Sequence, residues 1–313
     1  MNILLAGATG ALGTALTKGL QARGHHVLGL TRQPARVKQL AAQGVQPIVA
    51  NALDREGLLR AVDGLQADAV IHELTALQKA PLRPRDMDMT NRLRTEGTAN
   101  LLAAAQQLGA HRFVTQSMIF GYGFADYGDR VVSEEDEFGR SGQGKFQPTV
   151  DALEAAEQQA FSADGIEGVA LRYGLLYGDD VSTMAVVDML RKRRLPAPKG
   201  GGGVRSWVWI EDAAAATIAA LERGRAGQAY NVVDDQPVSW GELLRTLAAA
   251  FGAPAPRELP GWLLRPMPYL HAVMTRSMRV SNRKAREELG WQPTAPSIHE
   301  GFARIAAPAN LAA

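Results

Sequence analysis

Short apolar runs alternate with longer stretches of helical composition through the first half of the chain. The apolar runs, which we predict to be buried strands, are residues 3–6, 26–31, 45–50, 69–72, 112–117 and 168–173. The stretches between them, which we predict to be helices, are residues 11–23, 35–43, 55–62, 89–108 and 151–163. Parallel strands need a long crossover between them, and a helix is the usual connection. The alternation therefore predicts an α/β fold with a doubly wound parallel sheet.

The rhythm changes after residue 174, where proline and glycine become frequent. Prolines and glycines cluster at residues 196–203, and prolines again at 254–268. Between these clusters we predict a strand at residues 205–210 and an alanine-rich helix at 212–223, followed late in the chain by a terminal helix at 282–289. The sequence thus predicts a sheet domain over residues 1–173 and a smaller C-terminal part over 174–313. We expect residues 204–233 to return to the sheet domain.

Three glycines follow the first predicted strand in the spacing G-x-x-G-x-x-G. Gly7 permits a tight turn, Gly10 lets the backbone approach a pyrophosphate, and Gly13 allows the next helix to pack closely on the strand. The amides at the start of that helix then face the phosphates. Because the motif stands between a strand and a helix, it predicts a dinucleotide site of the Rossmann type. To the same site we assign the neighbouring residues Thr9, Ala11 and Leu12.

The end of the second predicted strand indicates which dinucleotide is bound. An acidic side chain there accepts from the ribose 2′-hydroxyl of NAD, whereas an arginine accommodates the 2′-phosphate of NADP. This chain has Arg32 after Thr31 and no acid, and a guanidinium pairs with phosphate through a forked contact. We therefore predict NADP, with NAD less favoured. Asn51 and Ala52, just past the third strand, are placed to address the adenine ring, and Asp54 is placed to cap the next helix.

Composition limits the remaining classes of function. The 313 residues are 46% hydrophobic and 21% charged with a net charge of +2, as in an ordinary globular protein that does not bind nucleic acid. The chain has no cysteine, which excludes disulfides and thiol chemistry, and we predict no metal site. No apolar run approaches the ~18 residues of a membrane span, so we expect no membrane partner and a cytoplasmic location.

The order of motifs resembles that of extended short-chain dehydrogenases/reductases of the NAD-dependent epimerase/dehydratase family. The resemblance covers nearly the whole chain. It rests on GATGALG at residues 7–13, DAVIHELTA at 68–76, EGTANLLAAA at 96–105, RFVTQS at 112–117, LRYGLLYG at 171–178, VRSWVWIEDAAAA at 204–216, YNVVDD at 230–235 and KAREELGWQP at 284–293. It implies a Rossmann sheet with a C-terminal substrate domain and an NAD(P)-dependent oxidoreductase that acts on the carbonyl or hydroxyl of a small metabolite.

The resemblance also implies roles for single residues. Leu74 and Thr75 would lie along the cofactor, Ser117 near the nicotinamide, and Tyr173 close to its carboxamide. Arg205 matches an arginine that binds the diphosphate of nucleotide sugars, so a nucleotide-sugar epimerase or dehydratase remains an alternative. Trp207 and a second tryptophan two residues later stand where those relatives carry an aromatic residue and a histidine. This departure predicts a more apolar substrate, with Arg205 and Trp207 as substrate-binding residues.

The family's catalytic Tyr-x-x-x-Lys pair has no counterpart at the expected place. Thr149 and Leu153 occupy the two positions on the helix after the long loop. In one interpretation the protein is an atypical reductase in which Ser117 polarises a carbonyl and Tyr122, Tyr127 or Lys145 supplies the proton. In a second, it is a redox sensor or scaffold that binds NADP(H) without turnover. In a third, the nucleotide is structural and the cleft binds a metabolite. A homodimer through helices 92–108 and 151–163 is a further expectation, as in relatives.

Overall fold

The computed structural model describes residues 1–77 and 79–306, and a seven-stranded parallel sheet forms its centre. The strands are β1 (Asn2–Ala6), β2 (His26–Thr31), β3 (Gln46–Val49), β4 (Ala69–His72), β5 (Arg112–Met118), β6 (Val131–Val132), β7 (Glu167–Tyr173), β8 (Leu175–Tyr177), β9 (Ala197–Pro198), β10 (Val204–Arg205), β11 (Trp207–Trp209), β12 (Gln228–Val232), β13 (Val238–Ser239), β14 (Glu258–Leu259) and β15 (Arg279–Val280). The central order is β3-β2-β1-β4-β5-β7-β12. The order reverses between β1 and β4, which confirms the predicted doubly wound α/β class.

Helices cover both faces of this sheet and build the C-terminal part. They are α1 (Ala11–Ala22), α2 (Val37–Ala42), α3 (Arg55–Val62), α4 (Asp88–Arg92), α5 (Thr98–Leu108), α6 (Gln147–Phe161), α7 (Val181–Arg191), α8 (Ile210–Arg223), α9 (Trp240–Ala250), α10 (Pro268–Thr275), α11 (Arg283–Leu289) and α12 (Ile298–Ala306). Along β1, Ile3 and Leu5 pack under α1 and α8, while Leu4 packs on the opposite face with residues of α3 and α5. Burial on both faces explains why the strands are continuous apolar runs.

Several elements differ from the predictions. The helix predicted at 89–108 is interrupted by a π-helical turn, Leu93–Gly97, between α4 and α5. The strand predicted at 205–210 divides at Ser206, whose carbonyl accepts from the amide of Leu175 and whose hydroxyl accepts from the amide of Val280. Its last residue already belongs to α8. Helices α7, α9, α10 and α12 were not predicted, and the helix at 282–289 is not terminal, because α12 follows it.

A buried carboxylate ties the C-terminal segment to the sheet domain. Asp212, in the first turn of α8, accepts from the amide and hydroxyl of Thr294 at 2.9 and 2.7 Å and from the amide of Ala295 at 2.9 Å. Trp291 donates its indole N–H to the Asp212 carbonyl. Residues 228–232 form β12 beside β7, so this stretch lies in the central sheet. The domain boundary at residue 173 stays a prediction.

Candidate functional site

The turn after β1 is shaped by two glycines that tolerate no side chain. Gly7 has a φ of +106°, and a Cβ there would lie 2.7 Å from the Glu73 carbonyl oxygen. A Cβ on Gly13 would lie 2.1 Å from the Gly7 carbonyl oxygen, so α1 begins in direct contact with the turn. Within the described part of the chain no side chain caps the first amides of α1. These amides are therefore free to bind an anion at the carboxyl end of β1.

A groove of about 530 Å³ runs from this turn across the carboxyl ends of β1, β2, β3 and β4. It lies at the switch point between β1 and β4, where open α/β sheets bind their ligands. Predicted cofactor residues that line it are Gly7, Thr9, Gly10, Arg32, Asn51, Ala52, Leu74 and Thr75. Ala11 lines a second, larger cleft of about 910 Å³ between α1 and α8, and Leu12 is buried in the core beneath α1. The structure thus gathers eight of these predicted residues in one groove.

The far end of the groove carries an exposed cation. Arg32 lies at the rim directly after β2, and the Thr31 hydroxyl accepts from the amide of Gln33. Asn51, which also lines the groove, accepts a hydrogen bond from the amide of Leu53. Asp54 caps α3 by accepting from the amide of Gly57 at 3.0 Å, as predicted. No acidic side chain is among the groove-lining residues at this end in the described structure.

A buried carboxyl group forms part of the groove floor beside the glycine turn. Glu73 follows β4 and accepts a 2.9 Å hydrogen bond from the hydroxyl of Tyr173, which also contacts the Thr217 hydroxyl at 2.5 Å. Burial raises the pKa of Glu73 to about 8, an effect the Tyr173 hydrogen bond only partly offsets. Glu73 is therefore mainly protonated near neutral pH and adds little negative charge near the amides of α1. Tyr173 itself is fully buried, one side chain removed from the groove.

The π-helical turn lies between the groove and a second cavity. His72, at the end of β4, accepts from the amide of Leu74 and donates to the carbonyl of Leu93 at 3.3 Å. Burial lowers the pKa of His72 to about 4, so the ring stays neutral and satisfied. Leu93 faces the groove and the next residue, Arg94, faces the second cavity. The turn therefore presents consecutive side chains to the two spaces, and π turns of this kind are frequent at functional sites.

The second cavity is small and largely apolar. Its volume is about 170 Å³, and Leu77 lines both it and the groove, so the two spaces adjoin. Its walls are Leu77, Ala80, Pro81, Met87, Arg94, Met118, Phe120, Thr149, Leu175, Trp240, Tyr269, Leu270 and Val273. An apolar cavity of about 150 Å³ is sufficient to hold a benzene ring. The cavity therefore suits a small substrate with an apolar body.

The polar groups of the cavity come from three elements. Arg94 is 5% exposed, and its Nη1 makes one long hydrogen bond of 3.4 Å to Asn91. Asn91 in turn donates to the Thr149 hydroxyl at 3.3 Å. Burial raises the pKa of Tyr269 to about 12, although Arg94 and Arg205 both act to lower it. Burial lowers the pKa of Arg94 to about 10, which leaves it charged at neutral pH.

Ser117 does not line the second cavity, and its predicted place near the nicotinamide stays a prediction. Ser117 is fully buried at the end of β5, and its hydroxyl has no hydrogen-bond partner among the described residues. The neighbouring Met118 lines the cavity instead. Successive side chains of a strand point to opposite faces, so only one of this pair can reach the cavity. The alternation along β5 thus gives Met118 to the cavity wall.

Tyr122 is also placed away from both spaces. Its hydroxyl donates to the Asn231 side chain at 2.9 Å and accepts from Arg172 at 2.8 Å, while Arg172 forms a bidentate pair with Glu157. The ring packs edge-on against Phe138, and burial raises the pKa of Tyr122 to about 12. Tyr122 is a member of a buried polar network and is not a proton donor to the cavity. Its hydroxyl is engaged on both sides, which disfavours the predicted catalytic role; that role stays a prediction.

Neither of the two predicted substrate residues lines the second cavity. Arg205 is fully buried and donates to the carbonyls of Val273 and Ala272, each at 3.0 Å, so it caps the carboxyl end of α10. Trp207 is buried edge-on against Trp240, with the ring centroids 4.8 Å apart. The cavity wall is formed by Trp240, whose indole N–H donates to the Val273 carbonyl at 2.9 Å. Sequence reasoning missed this residue because it belongs to an unpredicted helix.

The family model for the NAD dependent epimerase/dehydratase family matches residues 3–233. The chain belongs to this family. The 3-diazoavenalumate denitrifying reductase of a Streptomyces species is 38% identical, with 97% of this chain and all of that protein aligned. The 2-alkyl-3-oxoalkanoate reductase of Stenotrophomonas maltophilia is 29% identical, with 98% and 99% aligned.

Solved structures agree with the observed fold. Human epimerase family protein SDR39U1, solved with NADPH, superposes with a TM-score of 0.80 at 24% identity and covers 99% of this chain and 100% of its own. UDP-glucose 4-epimerase of Thermotoga maritima, solved with UDP-glucose, gives a TM-score of 0.78 at 20% identity, with 98% and 97% covered. These likenesses concern the fold, which is that of the extended Rossmann proteins.

The family membership and the reductase relatives confirm the predicted resemblance and the prediction of an NAD(P)-dependent oxidoreductase of this family. Over residues 1–77 and 79–306, no helix is both long and apolar enough to cross a bilayer. The homodimer and the cytoplasmic location stay predictions.

Proposed function

We propose that this protein is an NADPH-dependent reductase of a small, largely apolar substrate that works without the tyrosine–lysine pair of its family. The cofactor occupies the 530 Å³ groove and the substrate the adjoining 170 Å³ cavity. Bound NADPH supplies a hydride. The observation that supports the proposal is the apolar wall of this cavity, which adjoins the groove and in its described lining has Thr149 and no lysine.

The groove fits a phosphorylated dinucleotide. The free amides at the start of α1 bind the pyrophosphate, and the lack of a side chain at Gly7 and Gly13 allows the tight turn that places these amides at the end of β1. Arg32, exposed at the far rim, binds the 2′-phosphate of NADP through its guanidinium fork. Because Glu73 is mainly protonated near neutral pH, it does not repel the phosphates bound beside the glycine turn. These features together favour NADP over NAD.

From the sequence we assign Thr149 and Leu153 to the two positions of the family's catalytic pair. Thr149 lines the cavity and accepts a hydrogen bond from Asn91, while Leu153 is fully buried in an apolar cluster beneath α6. A threonine hydroxyl does not release a proton at neutral pH without a strong base beside it, and Leu153 cannot replace the lysine charge. Because neither residue can donate a proton, the substrate that fits this cavity best is a hydride acceptor that needs no protonation.

A diazonium-type carbon is such an acceptor. When hydride forms the new C–H bond, the C–N bond breaks and its electron pair leaves with dinitrogen, so no proton is consumed. The relative named as a 3-diazoavenalumate denitrifying reductase supports this class of acceptor for the present chain. The residues of the cavity then bind the apolar body, orient the reacting carbon beside Met118 and exclude water.

A carbonyl acceptor is the second candidate. Reduction of a carbonyl requires a proton on its oxygen. Tyr269 is the cavity residue whose hydroxyl can donate one, since burial raises its pKa to about 12 and the hydroxyl keeps its proton at neutral pH. The relative named as a 2-alkyl-3-oxoalkanoate reductase supports this alternative. Replacing Tyr269 by phenylalanine separates the two candidates. It should abolish carbonyl reduction and leave reduction with loss of dinitrogen unchanged.

The cofactor assignment is tested by titrating the protein with NADPH and NADH and following fluorescence. Arg32→Asp should weaken NADPH binding by about 10- to 100-fold through loss of a charged hydrogen bond, while NADH binding changes little. Lys38→Asp, an exposed charge reversal on α2 outside the groove, is the matched control. Unchanged NADPH affinity in Arg32→Asp would refute the phosphate role.

Turnover is tested with NADPH deuterated at C4 against aryl diazonium salts, 3-oxoalkanoates and quinones. Deuterium in the product, together with labelled dinitrogen released from a ¹⁵N-diazonium substrate, would support the reductase. Tight NADPH binding without transfer to any member of the panel would contradict turnover and favour a redox sensor or scaffold.

A further inference from the structure

Arg94 places a positive charge in the wall of an apolar cavity. Its side chain is buried, and the described residues include no carboxylate paired with it. Its Nε has no hydrogen-bond partner in the same part of the chain, and its single bond to Asn91 is long at 3.4 Å. Arg172, by contrast, donates through Nε and Nη2 to both carboxylate oxygens of Glu157. Among the buried arginines of the described chain, Arg94 makes the fewest hydrogen bonds, since Arg205 has one free nitrogen but donates twice to backbone carbonyls.

An unpaired buried charge is unfavourable for folding. Taking a guanidinium out of water costs several kcal/mol unless a counter-charge or hydrogen bonds compensate for it. Burial lowers the pKa of Arg94 to about 10, so the guanidinium keeps its proton and its charge at neutral pH and the desolvation penalty remains. The missing partner has a defined place, because Arg94 lines the cavity whose remaining walls are mostly hydrocarbon and aromatic.

We propose that Arg94 binds the carboxylate of the substrate, and that the substrate is consequently an organic acid with an apolar or aromatic body. This inference rests on the proposed function in taking the 170 Å³ cavity as the substrate site. A carboxylate accepts from the free Nε and an adjacent guanidinium N–H in a forked contact, which is the strongest geometry available to this pair. The apolar walls hold the rest of the molecule.

A second buried cation strengthens the preference for an anion. Arg205 lies under the Phe120 ring, with its Cζ 5.6 Å from the ring centroid, and its Nη1 has no partner among the described residues. Phe120 lines the cavity, as does Tyr269, whose hydroxyl feels the charge of both arginines. Both arginines therefore contribute positive potential at the Tyr269 hydroxyl. A ligand without a carboxylate would leave the charge of Arg94 without a partner.

The test compares ligands that differ only in charge. Isothermal titration of the wild-type protein, with and without NADP⁺, measures binding of benzoate, trans-cinnamate and hexanoate against benzamide, cinnamamide and hexanamide. At least one carboxylate should bind about 10-fold tighter than its amide. Equal affinities within all three pairs, or no saturable binding of any carboxylate, would overturn the proposal. Because this comparison uses only the wild-type protein, it does not depend on the folding of a variant.

Variants then locate the charge. Arg94→Gln should weaken carboxylate binding by about 10- to 100-fold and leave amide binding unchanged, and Arg94→Lys should restore part of the loss as a point charge without the fork. Arg85→Gln, an exposed arginine that lines neither space, is the matched control. A carboxylate preference that survives in Arg94→Gln would refute the assignment to Arg94.

Thermal unfolding separates a ligand-binding arginine from a structural one. Arg94→Met should raise the Tm of the ligand-free protein by a few degrees, because it removes an uncompensated buried charge. A lowered Tm would contradict the argument. NADPH titration of the same samples reports separately on the proposed function. Carboxylate binding without NADPH binding would support the anion site and refute the reductase.

Discussion

Replacing Glu73 by glutamine is expected to stabilise the ligand-free protein, by an amount that grows with pH. Burial raises the pKa of Glu73 from an ordinary 4.5 to about 8. Between these values the folded protein holds a proton that the unfolded chain has released, so the folded state binds more protons. Stability therefore falls as pH rises through this window and the loss is complete above the folded pKa. Glutamine keeps the carbonyl that accepts from Tyr173 but has no such titration.

The magnitude follows from the two pKa values. From pH 5 to pH 7, ionisation stabilises the unfolded wild-type chain by about 2.5 kcal/mol more than the folded state. The free energy of unfolding of Glu73→Gln should therefore rise relative to wild type by about 2.5 kcal/mol over that interval. It should level off above pH 8, where Glu73 also ionises in the folded state.

Urea unfolding followed by tryptophan fluorescence at pH 5, 6, 7 and 8 measures this difference. Glu56→Gln is the control, since it makes the same chemical change at a side chain that is 86% exposed and lies outside the groove. If the difference between Glu73→Gln and wild type is the same at pH 5 and pH 7, Glu73 is not a buried neutral acid and the reasoning is refuted.

Three further predictions follow from single contacts. Gly13→Ala should lower the free energy of unfolding by about 3 kcal/mol and abolish dinucleotide binding, because the new Cβ would lie 2.1 Å from the Gly7 carbonyl oxygen. Gly97→Ala is the control, since the nearest atom to its Cβ would be 3.7 Å away, and equal unfolding curves for the two variants would disprove the clash. Tyr122→Phe should lower the free energy of unfolding, measured in urea, by about 1–3 kcal/mol and leave the rate of substrate reduction unchanged, because the hydroxyl belongs to a buried hydrogen-bond network. A large fall in that rate would support a catalytic role for Tyr122. Asp212→Ala should lower the free energy of unfolding by about 3 kcal/mol or more, because it leaves three hydrogen-bond donors of Thr294 and Ala295 unpaired, and limited proteolysis should then release the C-terminal segment. Protease resistance equal to that of the wild type would show that Asp212 does not hold this segment in place.

The cofactor half of the molecule was predictable in detail because its signals are local. The strand at 26–31 and the helix at 55–62 were predicted with the bounds that the structure has, since apolar runs and a capping aspartate act within a few residues of chain. The glycine spacing predicted the tight contact between the turn and α1, because only a residue without a Cβ fits there. The groove then follows from the strand order.

The cavity could not be predicted in the same way, because its walls come from distant parts of the chain. Arg94, Met118, Thr149, Trp240 and Tyr269 meet only when α10 and the start of α9 pack against the ends of the sheet. The C-terminal helices themselves were missed, since frequent prolines and glycines obscured short helices that tertiary packing stabilises.

The amino-acid sequence by itself determined the doubly wound sheet, the dinucleotide turn and the candidate phosphate ligand Arg32, because backbone sterics and periodic burial are properties of neighbouring residues. Only the tertiary structure decided which polar groups are committed to the fold and which are free. It assigned Tyr122 and Arg205 to buried hydrogen bonds and left Arg94 without a counter-charge in the cavity. Hydrogen-bond satisfaction depends on residues far apart in the chain, so it cannot be read from the spacing of residues along it.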